Sequence, residues 1–194
     1  MNPELIDSCL NGCLRATCGP RRLAAHVLAL LLLAGCSPVL DWREVALPDT
    51  PLVAQMPCKP GRFQREIVVA GRALTWFMLS CEAGGVSFGV ASADVRDPTQ
   101  VEGVLAALAD TARNTLREGR GEFGGFDLPG ATPFRGNASA HISGKRPDGV
   151  RVEESLRLFA RGTRVYQATA IGPPIAGAAM APFEEGLRFD LEKR

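Results

Sequence analysis

From Phe63 onward, apolar-rich runs alternate with glycine-bearing turns of two or three residues, and turns that short leave a chain little choice but hairpins. Phe63 to Val69 and Ala73 to Cys81 read as two strands about a turn at Gly71-Arg72. That turn sets Val69 opposite Leu74 and Ile67 opposite Trp76. Trp76 to Leu79 is apolar on both faces, the pattern of a strand covered from both sides. After Gly84-Gly85, Val86 to Val95 makes a third strand.

Asp97-Pro98 is a helix start: a capping carboxylate followed by proline at the first helical position. Val101, Val104, Leu105, Leu108, Ala112 and Leu116 then share one face, which predicts a helix over about 98–118. The glycine- and proline-bearing stretch 119–133 reads as a long loop, either functional or mobile. Phe134 to Ile142, Val150 to Phe159 and Thr163 to Ile171 read as three more strands, turning at Pro147-Asp148-Gly149 and Arg161-Gly162. A closing helix over Ile175 to Phe189 carries Met180, Phe183 and Leu187 on its inner stripe. The order β-β-β-α-β-β-β-α predicts an α+β domain on a largely antiparallel sheet of about six strands, with the helices packed on the sheet.

That order, with Phe159-Ala160-Arg161-Gly162-Thr163-Arg164-Val165-Tyr166 and a helix closing in Phe183 to Phe189, resembles the PsbP/Mog1-like domains of small bacterial lipoproteins. The resemblance covers roughly 62–190. It implies a binding or assembly domain and carries over no active-site residue.

At the other end, Arg21-Arg22 precedes Leu23 to Leu33, an apolar run broken only by His26. The run is short for a membrane-crossing helix and suits the core of a signal peptide. It ends in Leu33-Ala34-Gly35-Cys36, which resembles the lipobox of bacterial lipoproteins. Small residues at 34 and 35 let a peptidase reach the backbone. Only a cysteine thiolate at the next position can become the thioether that carries a diacylglycerol. The resemblance implies that residues 1–35 are removed, that Cys36 is acylated, and that the membrane is the first partner. Multiple acyl chains make such an anchor effectively permanent. Ser37 after the cysteine favours the outer membrane under the sorting pattern of such lipoproteins. Residues 1–20, with Cys9, Cys13 and Cys18, exceed what a signal peptide needs, and an overlong leader or a start codon assigned too early accounts for them. Residues 36–61 hold Pro38, Pro48, Pro51, Pro57 and Pro60 and read as a tether ahead of a single domain over 62–194.

Three of the 22 basic and two of the 21 acidic side chains precede Cys36, so the remaining charges balance. Zero net charge without a long like-charge run argues against nucleic acid as a partner. Cys58 and Cys81 are the only cysteines after Cys36, and the predicted strand pairing brings them within disulfide reach. The periplasm is oxidising, so a bridge is expected. His141 is the only histidine after the signal segment, and neither a nucleophile elbow nor a metal-ligand set accompanies it. No cofactor is expected. Alternation in the late strands places Arg135, Asn137, Ser139 and His141 with Arg151, Glu153, Ser155 and Arg157 on one polar face. Flanked by the loop 126–130, that face is the candidate binding surface. Glu184-Glu185 and Glu153-Glu154 are sequence neighbours that diverge in a helix or strand and make no catalytic dyad. The expected function is a non-enzymatic binding or envelope-assembly accessory, capturing an envelope protein or a small molecule. A small envelope hydrolase and a structural lipoprotein without a specific ligand are the competing readings.

Overall fold

Ten strands and two α-helices are formed by the described residues, 39–174 and 177–190, of the computed structural model. Cys36 and the signal segment lie outside these residues. In chain order the elements are β1 Arg43–Ala46, β2 Leu52–Met56, β3 Gly61–Val69, β4 Arg72–Ala83 and β5 Val86–Asp94. Then come α1 Val101–Thr115, β6 Arg117–Gly125, β7 Ala138–Lys145, β8 Arg151–Arg161, β9 Arg164–Gly172, α2 Gly177–Glu185 and β10 Arg188–Phe189. Seven strands form one sheet in the order β3-β4-β5-β9-β8-β7-β6, and three form another in the order β1-β2-β10. Every pairing is antiparallel.

The α+β domain expected on one sheet of about six strands is therefore incorrect. The chain is β-rich, with two antiparallel sheets. Two stretches account for the difference. The first is the supposed tether, whose residues 43–56 supply β1 and β2. Leu52, Val53, Ala54 and Met56 are buried there, and the prolines at 48 and 51 sit at the turn between the strands. The second is the supposed loop after the helix. Residues 117–125 form β6, whose glycines and charges hide the strand because both of its faces are largely open to water.

The first hairpin is also shifted from its expected register. Ile67 lies opposite Leu74 and Val69 opposite Arg72, because the turn is Ala70-Gly71 rather than Gly71-Arg72. Both turn residues have positive φ, 51° at Ala70 and 73° at Gly71. That is the geometry two-residue hairpins favour, but alanine is a poor marker for it. The shift is two residues, so every side chain keeps its face. The closing helix is shorter than expected. Pro182 lies inside α2, and at Gly186 a Cβ would stand 2.2 Å from the Pro182 carbonyl oxygen.

Each face of the large sheet is covered by something different. Asp97 caps the turn before α1 by accepting from the Thr99 N–H at 3.0 Å. One stripe of α1, including Val104, Leu105 and Ala112, is buried with Trp76, Ile142, Leu156 and Val165. On the opposite face the small sheet and α2 pack Met56, Phe183 and Phe189 against Phe88, Phe159 and Tyr166. Phe159 and Tyr166 stack with centroids 5.2 Å apart, and Phe189 meets both edge-on. The Cys58–Cys81 disulfide is formed, with α-carbons 6.0 Å apart, where the chain leaves the small sheet and enters β3.

The α1 side of the sheet holds one buried carboxyl. Glu154 accepts from the Thr169 hydroxyl at 3.1 Å through Oε1, while Oε2 has no partner among the described residues. Burial disfavours the charged form and raises its pKa above the ordinary glutamate range. The sign follows: below the ordinary glutamate pKa the group is neutral in both states and costs nothing. The penalty grows as pH rises from there through the raised folded value. Glu154→Gln should therefore stabilise the fold at pH 7 by about 1–2 kcal/mol and change little near pH 4. Thermal melts at the two pH values check this, and an equal shift at both would assign the effect to packing instead.

Candidate functional site

Residues 138–145 and 151–159 alternate strictly, so β7 and β8 present matched rows of side chains away from α1. His141 stands directly opposite Ser155, and Ser139 directly opposite Arg157. Glu184, in the last turn of α2, reaches this row. The Ser155 hydroxyl donates to Glu184 Oε1 at 2.8 Å. Arg157 Nη2 lies 3.6 Å from Glu184 Oε2, and its Nη1 donates to the Ser155 oxygen at 3.3 Å and to the Leu156 carbonyl at 2.9 Å. His141 Nε2 is 3.8 Å from Glu184 Oε1.

Only one member of this network is open to solvent. The side chains of Arg157 and Glu184 are 12% and 20% exposed, whereas His141 is 67% exposed. A half-buried ion pair of this kind is held by its extra hydrogen bonds, and removing either partner strands the other charge. The serine hydroxyl is directed at the carboxylate rather than at the imidazole. The arrangement fastens α2 to the sheet; it does not activate a nucleophile, for which the histidine must accept the serine proton.

Hollows open on both sides of the network. One, of 340 Å³, lies between α2 and β7–β9 and includes His141, Ser143, Glu153 and Met180 in its walls. The other, of 660 Å³, is walled by Phe126, Leu128, Pro129 and Phe189, with Ser139 and Arg157 in its lining. Glu184 borders both. The loop 126–137 is pinned rather than mobile. Glu102 of α1 accepts from the backbone N–H groups of Arg135 and Gly136 at 2.8 and 2.9 Å. At Gly136 a Cβ would come within 2.7 Å of Leu105, so only glycine fits that approach.

Of the residues expected on the binding face, His141 and Arg157 come together here and three do not. Arg135 precedes β7 and lines a separate hollow beside α1 with Asp110 and Arg113. Asn137 is buried and structural: its side chain donates to the Thr132 carbonyl at 2.9 Å and accepts from the Ala160 N–H at 3.2 Å. Arg151 stands exposed at the far end of β8, opposite Lys145. Cys36 lies outside the described residues. Glu184 was dismissed with Glu185 as a diverging pair, although its spacing carried a signal. Met180, Glu184 and Leu187 fall at i, i+4 and i+7, which places this carboxylate on the stripe that faces the sheet.

No family model matches this chain, and no curated protein matches it. Among solved structures the chain is similar to PA94, a protein of unknown function and putative regulator from Pseudomonas aeruginosa, at 14% identity and a TM-score of 0.38. The match covers 75% of this chain and 92% of that one. A likeness this faint carries neither fold nor function across. No helix among the described residues is long and apolar enough to cross a membrane.

Proposed function

We propose that this chain is a lipoprotein anchored through Cys36 at the periplasmic face of the outer membrane, and that its folded unit binds an envelope partner along β7. The anchor rests on the order Arg21-Arg22, Leu23 to Leu33, and Leu33-Ala34-Gly35-Cys36. The binding reading rests on one observation: the Glu184–Ser155–Arg157 network divides two hollows on a stretch of sheet that α2 borders without covering. Apolar walls from Phe126 and Pro129 bury partner surface, while His141 and Ser139 offer polar contacts on the floor. That combination of apolar wall and few oriented polar groups is what a recognition groove needs. The reading is of a binding site rather than a reaction centre.

A photo-crosslinking amino acid at His141, in cells making the full chain, tests the groove. It should give a discrete adduct that is absent when the probe stands at exposed Thr99 beside α1. Ser143→Trp fills the groove beside His141 from a position opposite Glu153 rather than any member of the network, and should reduce the adduct at least about tenfold. An adduct from His141 that survives this substitution, or none at all, removes the groove as the binding surface.

A further inference from the structure

The large sheet ends in two edges that differ in kind. At β6 the register slips by one residue between Arg117 and Arg120, and Glu118 in the slip has φ 55°. Such a bulge twists an edge away from further pairing. At β3 there is no such device. Nine residues, Gly61–Val69, run in unbroken register with β4, and the eight from Gly61 to Val68 are exposed. Among the described residues no strand pairs with the outer row of N–H and C=O groups along β3. Phe63, Ile67 and Val68 stand 46%, 41% and 68% exposed beside it.

We propose that the β3 edge pairs antiparallel with the β3 edge of a second copy of this chain, centred on Gln64. A two-fold axis through such a pairing runs perpendicular to the sheet, so residues opposite one another must share a face. The register is then centred on a single residue, and the charges choose which. Centring on Arg65 or on Glu66 sets that charge against its own copy. Centring on Phe63 leaves both Arg62 and Glu66 without an opposite charge. Centring on Gln64 sets Arg62 opposite Glu66 of the second copy, and Glu66 opposite its Arg62. The same register places Phe63 opposite Arg65 on the α1 face, a cation over an exposed ring, once on each side of the axis. Gln64 meets its own copy, and side-chain amides pair with each other readily. The edge is thus complementary to itself in one register. The pairing joins two large sheets edge to edge and uses neither the groove along β7 nor Cys36.

Gln64→Cys in the full chain tests it, with oxidation of fresh lysates by copper phenanthroline and non-reducing gels. Residues directly opposite in an antiparallel pair have α-carbons about 4.5–5.5 Å apart, within disulfide reach. Gln64→Cys should give a covalent dimer, whereas Phe63→Cys, which faces Arg65 of the second copy, should not. In the Gln64→Cys background, Arg62→Glu alone and Glu66→Arg alone each create two like-charge pairs and should cut the dimer yield about tenfold. Arg62→Glu with Glu66→Arg restores both ion pairs and should restore the yield. All these positions are exposed, and an intact Cys58–Cys81 bridge reports that each variant has folded. Failure of folded Gln64→Cys to crosslink overturns the proposal. A dimer yield indifferent to the charge reversals, or lost in both single variants and not recovered in the double, overturns it equally.

Discussion

Cys36→Ser should abolish acylation and leave a precursor longer than the mature protein by the whole signal segment. A hydroxyl cannot take the place of the thiolate in forming the thioether, and without that step the peptidase has no modified substrate. Radiolabelled palmitate incorporation, gel mobility and membrane fractionation together measure this. Expected are no label, retarded mobility and no material in the outer membrane. A labelled, normally sized protein from this variant would falsify the anchor reading. The structure adds a constraint to that reading. The Asp41 N–H donates to the Pro57 carbonyl at 2.8 Å, ahead of β1. On the anchor reading, this bonded residue follows Cys36 by five positions, so the spacer is shorter than the 26 residues of 36–61. Inserting a flexible ten-residue segment after Ser37 separates tethering from proximity, since it preserves acylation while freeing the domain.

What the residues disclosed and what they hid divide along physical lines. Strands bounded by glycine turns, such as β4 and β5, show themselves through their apolar runs and turn chemistry. The α1 helix shows itself through Asp97-Pro98 and its apolar stripe. Hidden were the elements whose stabilisation comes from elsewhere. β2 reads Leu-Val-Ala-Gln-Met, with four of its five residues buried, and so has no alternation to detect. Its prolines mark a turn, but in a stretch following a lipidation motif they look like a spacer. β6 is an edge with glycine at four of nine positions, and it is held by pairing with β7 rather than by burial of its own side chains. The hairpin register turned on Ala70, a residue that gives no hint of positive φ. In the site, alternation was carried back beyond the true start of β7 at Ala138, and this drew Arg135 and Asn137 onto a face they do not occupy. Arg157, His141 and Ser155 were legible because they lie inside regular strands. Their partner Glu184 was not, because the contact spans 29 residues between Ser155 and the helix and depends on how α2 seats.

Replacing Cys58 and Cys81 together by alanine should cost about 3 kcal/mol of stability, the loop-closure value for a bridge spanning 23 residues. For a folded unit of this size that corresponds to a fall in melting temperature of roughly 10 °C. The loss has a location as well as a size. The bridge ties the chain segment between β2 and β3 to β4, one strand in from the β3 edge of the large sheet, where the two sheets share their core. Both cysteines pack there against the cluster that contains Met56, Phe88 and Phe183. Without the bridge, the small sheet is held to the large one by apolar contact, by Arg161 over the Phe189 ring and by the Tyr166–Thr50 hydrogen bond, and β1 and β2 become the first elements to open. Amide exchange should accelerate in residues 43–56 well before it does in β5 or β9. The same measurement on the wild-type protein in reductant controls for the substitutions. Uniform acceleration across both sheets would show that the bridge stabilises the unit as a whole, not the junction between its sheets. Protection that persists through β5, β9, β8 and β7, with Phe183 still seated on Phe88 at 5.2 Å, would keep Glu184 on Ser155. The wall at Phe189 belongs to β10, which pairs with β2, so binding through the groove should weaken at temperatures where β1 and β2 have opened.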